Sequence, residues 1–197
     1  MDVVVKGNPL EDAIFNIIQY ILKSDRLRLS PVQAKLFRKR IYFPQERQTK
    51  IASDISIELW LPQALHYSRL WMCIFKNYDH IVPVSDLEGY KTKLDQMGSR
   101  NIKGVIASAN AVQHEALDYA RANDMGIIRI LPNDRVRWVI DKANIAASGS
   151  EEEANPREIT TGLTSQNHTG QNHNLYAFYD GYVFDNLNGF LSRMLKA

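Results

Sequence analysis

The chain is expected to form an α/β fold, a mixed β-sheet flanked by helices, and three stretches carry that expectation. Between Ile51 and Lys76, two strand-like runs are separated by a short polar connection, which reads as an antiparallel hairpin. From Gly104 to Leu131 a strand, a helix and a strand follow within about 28 residues, the signature of a βαβ unit with parallel strands. Pro9 to Lys23 repeats apolar residues at helical spacing, so helices and a sheet must share one core. At 197 residues, 45% hydrophobic and 23% charged, the chain is long enough to bury such a core.

The first helix takes Leu10, Ile14, Ile17, Ile18, Ile21 and Leu22 as its buried stripe. Asn8 is its expected N-cap and Pro9 suits the first turn. Glu11 and Asp12 complement the helix dipole, which explains Glu11 without invoking any chemistry. The stretch from Lys23 to Lys50 then carries nine basic residues against Asp25 and Glu46, while the rest of the chain has a net charge of −5. Such a run is either a solvated charged face or an electrostatic footprint for a phosphate backbone. Arg38, Lys39, Arg40, Arg47 and Lys50 are its candidate DNA contacts, and Leu36 to Phe43 the expected first strand. Tyr42 and Phe43 are read as core residues sooner than as stacking platforms for bases.

In the next strand Ile55, Ile57, Leu59 and Leu61 alternate with Asp54, Ser56, Glu58 and Trp60, giving one polar face. Leu70 to Phe75 is almost wholly apolar, as a strand covered on both faces requires, and it ends in Lys76. A turn centred near Leu65 would place Asp54 opposite Lys76. Glu58 would then be diagonal to Ile74, within about 7–8 Å on the same face. An acid and a lysine so placed are a cross-strand ion pair or the start of a catalytic site. A helix follows from Ser85, with Glu88 completing a capping box and Gly98 ending it. Lys93 and Gln96 share a face of this helix, and solvent exposure accounts for them.

Beyond Pro132 the pattern weakens. Arg135 to Ile140 reads as a further strand, and Ser148 to Asn155 as a linker. His168 and His173 have no spacing that matches a metal motif. Leu175 to Leu195 is again aromatic and apolar, with a terminal helix from Asn186. Packing on the preceding domain, a contact in a homodimer and part of a further domain are all compatible with it. The expected division is a domain over 1–140 followed by a linker and aromatic-rich extension over 141–197. The single cysteine, Cys73, excludes an intrachain disulfide and fits a reducing cytoplasm. No apolar stretch reaches membrane-spanning length and no signal peptide is evident, so a cytoplasmic, membrane-free location is expected.

Asp54-Ile-Ser-Ile-Glu58, Lys76-Asn-Tyr78, the run Val82 to Glu88 with Leu94-Asp-Gln96, Gly104 to Ser108, and Ala116 to Arg121 before Gly126-Ile-Ile128 occur in an order that resembles the PD-(D/E)XK nuclease superfamily. Within it the likeness is to Mrr-like restriction endonuclease domains, and it covers Gly7 to Leu131. It implies a restriction-endonuclease-like fold and Mg²⁺- or Mn²⁺-dependent hydrolysis of double-stranded DNA. Asp54 would be the principal metal ligand, the Phe75 carbonyl a further one, and Lys76 the donor to water or phosphate. Where the family has the glutamate of Glu-x-Lys, this chain has Ile74. Glu11, which matches the family's glutamate on the first helix, and Glu58, on the adjacent strand, are the two candidates for the missing carboxylate. The resemblance also turns Gln96 toward the active site. Its alternative implication is a catalytically inactive DNA-binding or assembly component of the same fold.

Overall fold

The computed structural model describes residues 9–24, 27, 33–44, 50–98, 101–131, 155–169 and 175–196. Seven strands form one mixed sheet in chain order: β1 Ala34–Tyr42, β2 Ile51–Leu59, β3 Arg69–Lys76, β4 Ile102–Ser108, β5 Gly126–Ile130, β6 Leu175–Tyr179 and β7 Tyr182–Phe184. The first three strands pair antiparallel, β3, β4 and β5 run parallel, and β6 and β7 return antiparallel. Five helices are described: α1 Pro9–Lys23, α2 Val84–Asp95, α3 His114–Ala122, α4 Pro156–Thr164 and α5 Leu187–Lys196. This is the expected α/β architecture.

The helices divide between the two faces according to which strand residues they cover. Ile14, Ile18 and Ile21 of α1 and Phe190, Leu191 and Met194 of α5 share a cluster with Ile55, Ile57, Trp71, Cys73, Val105, Ala107 and Ile128. Leu87, Tyr90 and Leu94 of α2, Ala116 and Ala120 of α3, and Ile159 and Leu163 of α4 cover Leu70, Met72, Ile106, Ile127, Tyr176 and Phe178. Strands with both faces covered are nearly continuous apolar runs, broken in β5 by buried Arg129. That explains why β3 and β5 lack a polar face.

The aromatic-rich C-terminal region belongs to this sheet. β6 pairs with β5 from Ile127↔Phe178 to Ile130↔Leu175, and α5 lies beside α1 on the first face. Packing on the preceding strands, one of the three readings open for that region, is observed. Arg129 of β5 fastens α4, donating to the carbonyls of Gly162 (2.6 Å) and Ser165 (2.7 Å) at that helix's C-terminal end, where a cation suits the dipole. The strand expected at 135–140 and most of the linker expected at 148–155 lie outside the described residues.

Two local expectations are corrected. α2 begins at Val84, with extended Pro83 as its N-cap and no side-chain cap, so Ser85 and Glu88 form no capping box. The Val84 amide instead donates to Gln113 Oε1 at 3.0 Å, a partner supplied by the segment before α3. The β2–β3 connection occupies residues 60–68, with Leu59 paired to Arg69 and the Ser68 amide donating to the Leu59 carbonyl. Its midpoint is residue 64, one earlier than expected, and a shift of one at the turn moves every pairing by two. Continued register would therefore put Asp54 opposite Ile74, not Lys76.

Candidate functional site

The site begins where β1 and β2 lose their alternation. Their ladder pairs Arg38 with Ile55 and Arg40 with Ser53 but omits Lys39 and Asp54, which face each other between those pairs. Lys39 has φ 48°, a left-handed conformation uncommon for a non-glycine residue. On β2, Ile55 packs on the α1 face and Ile51 on the α2 face, although an even separation should keep them on one side. On β1 the same reversal separates Leu36 from Tyr42. Both strands thus roll over at Lys39 and Asp54, with the pairing register the same on either side.

This roll brings Asp54 into reach of α1. Lys39 Nζ lies 2.6 Å from Asp54 Oδ1 and 2.8 Å from Glu11 Oε2, so the two carboxylates converge on one ammonium. Those two oxygens are no further apart than the sum of these contacts. Glu11 is buried, whereas the Lys39 side chain is 63% exposed. Burial pulls the Lys39 ammonium down, but hydrogen bonds and charges from Asp54 and Glu11 outweigh it, and its pKa is raised overall. The other Asp54 oxygen accepts from the Phe75 amide at 2.7 Å, just beyond the last β2–β3 pair, Ile55↔Cys73. An extended residue points its carbonyl toward the same edge as its amide. The Phe75 carbonyl therefore belongs to the Asp54 side of β3.

Lys76 is not paired with Asp54. Its Nζ lies 2.9 Å from Asp86 Oδ1, in the first turn of α2, and 3.1 Å from Tyr78 Oη. Tyr78 Oη also donates to Asp86 Oδ1 at 3.2 Å. Burial lowers the Lys76 pKa, and the bonds to Asp86 and Tyr78 more than restore it, leaving a net rise. Among the described residues, buried Asp86 Oδ2 has no hydrogen-bond partner. The amine expected beside Asp54 is thus held in a separate Lys76–Tyr78–Asp86 cluster. Ile74 is half-buried against the α2 face.

Glu58 is not a neighbour of position 74. It is paired with Leu70 across the ladder, nearly fully buried, and held by Arg40 Nε (3.0 Å), Tyr42 Oη (3.1 Å) and Trp60 Nε1 (3.1 Å). The polar face expected for β2 is therefore an interior network, in which Ser56 Oγ also lies 2.8 Å from Tyr42 Oη. A carboxylate with three donors has a complete structural role. Glu58→Gln is expected to cost about 1–3 kcal/mol, because Arg40 loses its charge partner, and urea denaturation would measure it.

Gln96 is also displaced from the site. It is the C-cap of α2, ten residues after Asp86, or about 15 Å along the helix. Of the basic candidates, Arg38 pairs with Asp12 and lies over Phe15, Lys39 holds Glu11 and Asp54, and Arg40 holds Glu58. Lys50 is exposed beside Phe43, and Arg47 lies outside the described residues. Three of the five candidates, Arg38, Lys39 and Arg40, are therefore paired with carboxylates of α1 and β2. His168 accepts from or donates to Tyr176 Oη at 2.8 Å, and His173 lies outside the described residues.

Sequence reading missed Asp86 and Tyr78 as partners of Lys76, and missed Lys39 as the partner of Asp54. In the sequence Asp86 stands only within the run Val82 to Glu88. For Lys39 the available signal was the Arg38-Lys39-Arg40 run itself, since three successive cations cannot keep strict alternation and all avoid a covered face. Among the described residues no group of three or more His, Cys, Asp and Glu side chains is placed to hold a metal, and no helix is long and apolar enough to cross a membrane. No family model, curated protein or solved structure matches the chain.

Proposed function

We propose that the chain acts on double-stranded DNA as a restriction-endonuclease-like protein, hydrolysing phosphodiester bonds with Mg²⁺ or Mn²⁺ held by Asp54 and Glu11. The observation that supports this reading is the convergence of one sheet carboxylate and one helix carboxylate on a single cationic group. Mg²⁺ prefers oxygen donors and is commonly bound through one or two carboxylates together with waters and substrate phosphate. Two carboxylates are what remains here once Ile74 has removed the third. When bound, such a cation neutralises charge on the scissile phosphate and acidifies a water.

The chain's own groups have separate tasks. Asp54 is fixed by the Phe75 amide and so presents its second oxygen in a defined direction. Glu11 is held by burial on α1. Lys76, braced by Asp86 and Tyr78 beside α2, is assigned a phosphate oxygen in this reading, a role that requires its ammonium to leave that cluster. Lys35 and Lys50, exposed on or near β1 over the rings of Trp60 and Phe43, are the cations assigned to phosphates away from the cleavage point.

A second reading is favoured by Lys39 and Ile74 together: a catalytically inactive DNA-binding or assembly component of the same fold. There the lysine permanently replaces the metal. Supercoiled plasmid incubated with Mg²⁺ or Mn²⁺ separates the two. Nicking that is lost in both Asp54→Ala and Lys76→Ala is the result expected of the nuclease. Salt-sensitive duplex binding with no cleavage under any divalent cation would replace it by the inactive reading. In either case Lys50→Ala is expected to reduce the slope of log affinity against log salt by about 1, as loss of one phosphate contact does, measured by fluorescence anisotropy.

A further inference from the structure

We infer that Lys39 is a built-in competitor of the divalent cation, holding Glu11 and Asp54 together until a metal expels its ammonium. This rests on the proposal that the two carboxylates bind a metal, and it concerns what sets the affinity of that site.

The geometry is that of an internal counter-ion. Lys39 Nζ contacts both carboxylates at ion-pair distance, and its neighbours Arg38 and Arg40 are directed elsewhere, to Asp12 and Glu58. The backbone is shaped around this contact: Lys39 carries φ 48°, and its rung with Asp54 is missing from the ladder. A lysine in regular alternation would face away from one of its two acids.

The charges explain why some cation is required there. Glu11 is buried, and Asp54 lies within the combined reach of two short contacts from it. Two carboxylates so close repel each other strongly unless a positive charge stands between them. One ammonium balances half of that charge, and a divalent cation balances all of it. With both present the ammonium is repelled by the metal and has fewer acceptors, and its largely exposed side chain has solvent to move into. Metal binding and Lys39 release are therefore one exchange step.

Mn²⁺ titration calorimetry on the purified full chain tests this. Lys39→Met keeps the length of the side chain and removes its charge, and it is expected to bind Mn²⁺ at least about tenfold more tightly than the wild type, since no ion pair has to be broken first. Lys39→Arg should keep the weak wild-type affinity, and adding Asp54→Asn to Lys39→Met should remove the gain. Mn²⁺ should also raise the melting temperature of Lys39→Met more than that of the wild type. If Lys39→Met does not fold, Lys39→Gln carries the same expectation. Equal or weaker Mn²⁺ binding by the neutral variant, or a gain that survives Asp54→Asn, would overturn the inference. A tighter variant that still leaves plasmid intact upholds it while overturning hydrolysis, and no Mn²⁺ binding by wild type or variant overturns both.

Discussion

Asp54→Ala is expected to lower divalent-metal-dependent nicking of supercoiled plasmid by about a thousandfold, the scale of losing one fixed electrostatic group at a reacting phosphate. Asp54 makes two contacts that no neighbour can supply. One oxygen receives the Phe75 amide at 2.7 Å, and the other faces the shared cation position with Glu11. Alanine leaves Glu11 alone beside Lys39, and one carboxylate against one ammonium has no net charge to offer a metal. Asp54→Asn sharpens the result: its carbonyl oxygen can still accept from Phe75, so the strand margin is kept while the negative charge is lost. Both variants should remain folded by circular dichroism and both should fail to cleave. Cleavage at the wild-type rate by either would remove the Glu11–Asp54 pair from the chemistry.

Phe190→Ala carries the largest expected loss of stability, about 3–5 kcal/mol. Phe190 of α5 is fully buried, packs edge-on against Tyr179 and Phe184, and its ring covers Gly126, where an added Cβ would lie 2.7 Å from Cζ. Truncation opens a cavity between helix and sheet that the rigid β5–β6 pair cannot close. A shift of the urea midpoint with an unchanged slope would be the signature. A cost below about 1 kcal/mol would mean that α5 is only loosely attached, contrary to its place in the core.

The elements were legible where burial imposes a period. α1 was readable from Leu10 to Leu22 because its stripe contacts one sheet face along its whole length, and β3 because both of its sides are covered. The βαβ unit from Gly104 was readable for the same reason. The pairings that make the site were not. Register between β2 and β3 depends on the length of a turn whose residues, 60–68, contain no strong turn dipeptide, so the midpoint could not be fixed to one residue. Lys76 meets Asp86 through the start of α2, a tertiary contact with no local signal. The reversal at Lys39 and Asp54 is a backbone event, and a lysine with positive φ has no compositional mark. Glu11 was legible only as one of two candidates, and its approach to Asp54 depends on that reversal.

The same irregularity has a consequence for self-association. Among the described residues β1 is an outer strand of the sheet, nine residues long, and an edge of that length would ordinarily recruit another chain by hydrogen bonding. Lys39, at φ 48°, interrupts its straightness, so two copies aligned along this border would not form one regular ladder. The irregularity at Lys39 therefore makes this border a poor template for strand pairing between copies.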